Sequence, residues 1–527
     1  MFYSVIIKNG NIVDGTGAEI FKADVGIRGE KISKIGDLQN ESADLILDAG
    51  GFFVAPGFID LTTHSDTHWT LFSQPNQESF IRQGITTILG GHGGCSLAPL
   101  IKKEALGALE RLLDITEINI NWQTTKEFLD YAERIELAVN FATLVGHETL
   151  RRNILDDNSD KTANKEQIKQ INDLLEKSLN DGAFGLSTNF GKKYSKSASE
   201  KEILFLFKTV AGNNAISAHH LEDEGKNLLP AISKLITFLR ESGAKGHISH
   251  FKALGREAWE NFENALNMIE RAQKEGIFLS CDFFPYTSTG SNLVSFLPAW
   301  ILAENKEKIL RLLKEKEVRE TLKSYLKSLT LHFDKIIIAS TGRDSGSIGK
   351  SISQISKNSG LEEEEVVIGL LEANDLRVFI FNDIISPKNI EILSQKFYSM
   401  IASDGVGYDA LGLSGNNLPH PRSFGAFPRA MSQFVKEKMI LTWEEIIHKM
   451  SGLPAQTLGI KDRGIIKENY CADVVVFNSE TIEDRATCEN PFQYSAGIQY
   501  VFVNGRLTLA ENNLTGNRRG KILRKKR

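Results

Sequence analysis

The sequence predicts an α/β protein: a (β/α)8 barrel of the TIM type, joined to a small β-sandwich that the N- and C-terminal segments build together. Three observations point there. Eight short apolar runs alternate with helix-like stretches between residues 53 and 405. Turn-punctuated strands stand at both chain ends. Six of the eight runs carry a histidine or aspartate at, or one residue before, their C-terminal end, and the C-terminal strand ends are where such a barrel collects its chemistry.

From the N-terminus, SVIIKNGNIVDG, ADVGIRGEKISKIG and LILDAGGFFVAPG read as strands, with turns at Asn9-Gly10 and at Gly29. Near the other end, CADVVVFN and IQYVFVNGRLTL repeat that style and close on Asn504-Gly505. The two ends are therefore expected to pair. Residues 1–55 and 461–527 would form the sandwich, and 56–460 the barrel, with an insertion at about 287–397.

The barrel strands read as FVAPGFIDLTTH (53–64), ITTILGGH (85–92), LAVNFATLVGH (137–147), AFGLSTN (183–189), AISAHH (215–220), GHISHF (246–251), IFLSCDFFPY (277–286) and YSMIASDG (398–405). Between them, segments such as KEQIKQINDLLEKSLND and NFENALNMIERAQKEG repeat apolar residues at helical spacing.

Composition bounds the rest. The chain has 527 residues, 41% of them hydrophobic and 24% charged, with a formal charge of −5. That is an ordinary globular balance, long enough to bury a large core, and it points to no nucleic-acid partner. Seven basic residues fall in the last ten, Arg518, Arg519, Lys521, Arg524, Lys525, Lys526 and Arg527, and read as a solvated terminus. Cys95, Cys281, Cys471 and Cys488 form no CxxC pair and no disulfide framework. The start MFYSVIIKNGNIVDG is not signal-like and no apolar run reaches bilayer length, so a cytoplasmic protein without a membrane partner is expected. No G-x-S-x-G nucleophile elbow occurs. In DSGSIGKS (344–351), Asp344 stands where a phosphate loop has its first glycine, so that stretch reads as a loop leading into a helix.

The strand ends carry His64, His92, His147, His220, His250 and Asp404. A lone histidine there is usually structural, but six titratable strand ends together suggest a metal site.

The ordered series APGFID (55–60), SLAP (96–99), GLST (185–188), ISHFK (248–252), DFFPY (282–286), SDG (403–405), HPRSFGAFPR (420–429), LPAQTLGIKDRG (453–464), ADVVVF (472–477) and VFVNG (501–505) runs nearly end to end. On these segments the chain resembles the amidohydrolase superfamily and, within it, the N-acyl-D-amino-acid deacylases (D-aminoacylases). The resemblance implies metal ligation by His220 and His250, with His64 matching the second histidine of a first-strand pair. Asp404 matches the catalytic aspartate. Lys252, Tyr286 and Arg422 fall where related enzymes hold the substrate carboxylate, a role that suits ammonium, phenol and guanidinium groups.

Several positions depart from the family pattern. Thr62 replaces the first histidine of the pair. Gly93, in GGHGGC, stands where the family has a ligating cysteine, leaving His92 or Cys95 as alternatives. Glu222 takes a usual arginine position and Glu148 a usual glycine. The loop VGYDALGLSGNNLP that follows Asp404 is also longer. The three imidazoles of His64, His220 and His250 suffice for one zinc and not for two.

The expected activity is metal-dependent hydrolysis of a small N-acyl-(D-)amino acid to a carboxylate and a free amino acid, with Asp404 shuttling the proton. Two alternatives stand beside it: a catalytically impaired relative that binds a ligand, and a cyclic-amide hydrolase of the hydantoinase or dihydroorotase kind. The sequence leaves the oligomeric state open.

Overall fold

Eight parallel strands close into a ring at the centre of the computed structural model, which describes residues 2–102, 105, 120–156, 160–302, 304–329, 331–409 and 417–526. Phe58–Asp60 pairs with Ile85–Gly90, which pairs with Asn140–Thr143. The third strand resumes as Val145–Gly146 and pairs with Gly185–Asn189, followed by Ile216–His220, Lys245–Ile248, Leu279–Phe283 and Ser399–Ile401. A parallel bridge between Thr63 and Gly405, with the His64 amide donating to the Gly405 carbonyl at 2.8 Å, closes the eighth strand onto the first. Ile59, Leu61, Leu89, Ala142, Ile216, Ala218 and Met400 fill one buried cluster drawn from five of these strands.

The helices that clothe the ring follow their sequence patterns. Lys165–Asn180 begins at Asn164, whose side chain and that of Gln167 form a capping box, and it buries Ile171, Leu175 and Leu179. Phe262–Lys274 buries Phe262, Ala265, Leu266, Ile269 and Ala272, a single stripe at helical spacing.

The first expected strand, 53–64, is in fact two. Phe53–Pro56 belongs to the terminal sheet and Phe58–Asp60 to the barrel. Gly57 lies between them, where a Cβ would stand 2.2 Å from Thr86 Oγ1. Only glycine lets the two sheets meet this closely.

Strands from both chain ends form one nine-stranded sheet. Phe53–Pro56 is its hinge: it pairs in parallel with Phe2–Ile12 and antiparallel with Val474–Phe477. The sheet encloses a core of its own that includes Val5, Ile7, Val25, Ile27, Val54, Val474, Val476 and Phe502.

Between the seventh and eighth barrel strands the chain inserts an antiparallel sheet of Ser288–Asn292, Val378–Asp383 and Ile336–Thr341, which packs on a separate apolar cluster. DSGSIGKS lies here as a short turn at Ser345–Ser347, followed by Ser351 capping the helix Ile352–Ser359.

The basic C-terminal stretch is not a solvated tail. Ile522 bridges Phe141, the Leu523 amide donates to the Phe141 carbonyl at 2.7 Å, and Arg524 pairs with Asp130 at 2.7 Å. Backbone pairing and acidic partners on the barrel's helices tie it down, which a count of charges does not reveal. Arg527 and residues 410–416 of the long loop lie outside the described residues. Among the described residues no helix is long and apolar enough to cross a membrane, and none of the four cysteines forms a disulfide.

Candidate active site

The C-terminal mouth of the barrel gathers His64, His220, His250, Lys252, Asp404 and Arg422. Asp404 lies just beyond the eighth strand with φ 47°, and His250 just beyond the sixth with φ 44°. Left-handed backbone at a residue other than glycine costs about 1–3 kcal/mol and persists where neighbours hold it. The neighbours here are two buried carboxyl groups. Asp282 accepts the His250 amide at 2.5 Å, and Asp60 accepts the Ser403 amide at 3.1 Å, one residue before Asp404.

Asp404 is divided between two partners. Its Oδ1 lies 2.8 Å from His64 Nε2 and its Oδ2 lies 2.8 Å from Arg422 Nη1. The second contact is an ion pair rather than an aligned hydrogen bond, since that guanidinium nitrogen has no partner of proper geometry. Burial would raise the carboxyl's pKa, but Arg422, His250 and His64 outweigh it and hold the group well below the usual carboxylate range. Arg422 opens the helix Arg422–Met431, and its guanidinium lies 4.7 Å over the Phe284 ring.

His220 and His250 face each other with ring centroids 4.0 Å apart. Asn189 Nδ2 lies 3.3 Å from His220 Nδ1, while His220 Nε2 is shielded from solvent without a partner. Enclosure, with His250 beside it, holds the His220 imidazole well below its ordinary pKa, and therefore neutral.

Lys252 is buried and reaches back, with Nζ 2.8 Å from both Glu224 Oε1 and His250 Nδ1. Tyr286 lines the wall beyond Arg422, but its hydroxyl is directed to Asp484 at 3.4 Å, and Arg429 lies over its ring at 4.6 Å.

The remaining strand-end candidates separate. His147 opens a helix and points away from the mouth into a fully buried cluster, with Nε2 2.9 Å from Glu202, which also pairs with Arg151. The third strand ends at Gly146 and turns directly into that helix, so the last residue of the apolar run faces the helical layer. His92 is buried, and neither ring nitrogen has a partner. Its ring centroid lies 6.3 Å from that of His64. Cys95 donates to Glu148 at 3.4 Å.

Both departures in the ligand pattern have a structural consequence. The Thr62 hydroxyl donates to Asp282 Oδ2 at 2.5 Å, and His247 Nε2 lies 2.8 Å from the same oxygen. Thr62 is thus committed to holding the carboxylate under His250. Gly93 faces His220: a Cβ there would lie 3.2 Å from the imidazole Cε1.

Sequence reasoning missed Glu224, Asp282 and Asp60. The acidic run HHLEDEG after strand five was a signal for the first of these. Of that run, Glu222 turns out to Lys234 at 2.8 Å while Glu224 turns in.

Neutral imidazoles are what a borderline cation such as zinc requires. The shielded, unpartnered Nε2 of His220 beside His250 fits that chemistry. Among the described residues, however, no three His, Cys, Asp or Glu side chains converge closely enough to enclose an ion. His64 is turned onto Asp404 instead, and Lys252 and Glu224 crowd one edge of His250.

The amidohydrolase family model matches residues 417–509. D-aminoacylase of Alcaligenes xylosoxydans xylosoxydans is 30% identical over 521 residues, 99% of this chain and 97% of that protein. The crystal structure of N-acyl-D-glutamate deacylase from Bordetella bronchiseptica, complexed with zinc and a phosphonate mimic of the tetrahedral intermediate, superposes with a TM-score of 0.84 at 26% identity and full coverage of both chains. A D-aminoacylase structure described as having a binuclear metal centre, activated by one metal and attenuated by the second, gives a TM-score of 0.82 at 28% identity, covering 99% of this chain and 100% of that one. With about 30% identity over nearly the whole of both chains, the chain belongs to the D-aminoacylase (N-acyl-D-amino-acid deacylase) family of amidohydrolases.

Proposed function

We propose that this chain hydrolyses the amide of a small N-acylated D-amino acid to a carboxylate and a free amino acid, in a cytoplasmic setting. The observation that carries the reading is the ionised Asp404, held between His64 and Arg422 next to the facing imidazoles of His220 and His250.

One zinc ion is the proposed cofactor, held by His220 and His250 with His64 as a further donor. Once bound, it would supply Lewis acidity and lower the pKa of an attacking water. Asp404 accepts that water's proton at Oδ1, on the side of His64, and returns it to the departing nitrogen as the C–N bond breaks. Arg422 holds the carboxylate in place through both half-reactions. Its low pKa keeps it ready as a base at neutral pH.

Arg422 and Lys252 supply the positive charge for the substrate carboxylate, with Tyr286 on the same wall. Each cation currently neutralises an internal carboxylate, Asp404 and Glu224 respectively, and the substrate's carboxylate takes over part of that role. The test is metal analysis of the purified chain coupled to a hydrolysis screen of N-acetylated D- and L-amino acids, repeated with Asp404→Asn. About one equivalent of metal, D-selective turnover and loss of that turnover in the variant support the proposal. No metal retained and no turnover after added zinc overturn it.

A second reading, a relative that binds such ligands without cleaving them, is favoured by two observations: Thr62 is spent on Asp282, and Gly93 offers no donor. Stoichiometric binding of N-acetyl-D-amino acids without turnover would establish it.

A further inference from the structure

The geometry points to His92, and not Cys95, as the donor that makes up for the glycine at position 93, giving this chain a thiolate-free site for a borderline divalent cation. This rests on the metal-dependent reading above.

Position 93 itself is spent. Its backbone has φ +66°, and a Cβ would stand 3.2 Å from His220 Cε1 and 3.6 Å from Nδ1. The position therefore faces the His220 ring, and glycine leaves space there rather than a ligand.

Cys95 is committed elsewhere. Its amide donates to the His92 carbonyl at 3.2 Å, closing the turn, and its thiol donates to Glu148 Oε2 at 3.4 Å. Glu148 is engaged on its other oxygen by Arg152 at 3.2 Å. To ligate, the sulfur would have to leave a buried carboxylate and the turn would have to open.

His92 has no such commitment. The residue is 2% exposed, and both Nδ1 and Nε2 are shielded without a hydrogen-bond partner. Buried polar side-chain atoms are nearly always paired, and an imidazole with neither nitrogen satisfied is costly unless something else takes its lone pair. The ring lies at the mouth, with its centroid 6.3 Å from that of His64, and the charged and titratable groups that face it are His64, Asp282, His247 and Asp404. His220, across the turn, is close enough to feel it as well.

The consequence is a change of donor chemistry. A thiolate favours soft ions, whereas imidazole and carboxylate donors bind zinc, cobalt and nickel without it. An all-nitrogen and oxygen site leaves a distinct spectroscopic signature.

The test uses the full chain reconstituted with Co²⁺, read by visible and near-ultraviolet absorption and by chelator competition. The wild-type chain should bind cobalt with ligand-field bands and no thiolate-to-cobalt charge-transfer band. Cys95→Ala should leave spectrum and affinity unchanged. His92→Ala, or His92→Asn should the alanine variant lose its near-ultraviolet circular dichroism, should weaken cobalt binding by at least about tenfold, the scale on which metal sites respond to altered ligand environments. A charge-transfer band in the wild-type chain that disappears in Cys95→Ala overturns the inference. So does undiminished cobalt affinity in a folded His92 variant, with the metal-dependent reading left standing. A wild-type chain that binds no cobalt overturns both.

Discussion

Arg422 and Asp404 form an ion pair at 2.8 Å in which the arginine, more than any other group, opposes the effect of burial on the carboxylate. Removing the guanidinium therefore raises the Asp404 pKa. A base with a raised pKa is protonated earlier on acidification, so the acid limb of the kcat/KM profile should move upward. For Arg422→Met we expect a shift of about 1–2 pH units, the usual influence of an adjacent arginine on a carboxyl group, together with a higher KM. A pH–rate profile on an N-acetyl-D-amino acid checks both.

The same carboxylate is the proposed proton shuttle. Asp404→Asn should reduce kcat by about 10²–10⁴, the range for losing a positioned general base. Steady-state kinetics on the substrate turned over best by the wild-type chain measures it.

Thr62 has exchanged a possible ligand role for a structural one. Its hydroxyl and the His247 ring both serve Asp282 Oδ2, whose other oxygen takes the His250 amide. Thr62→Val keeps the shape and removes one donor from a buried carboxylate, so it should cost about 1–3 kcal/mol. Denaturant unfolding should give a lower midpoint with an unchanged slope.

Glu202 joins His147 and Arg151 in a cluster with no solvent access. Burial would raise its pKa, but His147 and Arg151 prevail and lower it below 4.5. A carboxyl with a depressed native pKa contributes stability above its unfolded value and loses it as pH falls toward the native one. Acid unfolding of the wild-type chain should therefore include a component that begins below about pH 4.5. Glu202→Gln should remove that component and cost about 3–5 kcal/mol, because the buried Arg151 loses the carboxylate it pairs with. Thermal melts from pH 3 to 7 separate the two effects.

Lys449 is 5% exposed and donates to the Ser399 carbonyl at 3.2 Å. Burial pushes its pKa down from 10.5 to about 8. Between those values the unfolded chain holds the proton that the native chain has released, so native stability rises with pH across this window. The rise attributable to Lys449 is on the order of 3 kcal/mol, and it should vanish in Lys449→Met when unfolding free energies at pH 8 and 10.5 are compared.

The barrel was legible because each strand carries an apolar run and six carry a histidine or aspartate at, or one residue before, their C-terminal end. The pattern could not assign residues 53–64 to one sheet or two, since Phe53–Pro56 and Phe58–Asp60 are equally apolar and only the Gly57 contact with Thr86 separates them. His64, His220, His250 and Asp404 were readable as strand ends and lie at the mouth as two pairs, His64 with Asp404 and His220 with His250. His147 was not distinguishable from them, because its partner Glu202 lies 55 residues away on another helix. The same holds for Glu224, whose inward turn depends on the path of the chain after strand five rather than on its type. The basic C-terminal stretch misled because charge describes solvation, while its backbone pairing with Phe141 depends on a neighbour nearly four hundred residues distant.

The hinge strand Phe53–Pro56 has a further consequence, for the order of assembly. It lies between Phe2–Ile12 and Val474–Phe477, and the very next residue, Gly57, donates its amide to the Asp473 carbonyl at 2.8 Å before the chain enters the strand that bears His64. During synthesis, more than four hundred residues must leave the ribosome before that strand finds its second neighbour. Contacts so distant in sequence are slow to form, so the terminal sheet, and with it the end at which the chain enters the first barrel strand, is finished last. Folding yield should then depend on keeping the early, incompletely paired strands from associating with other chains while they wait.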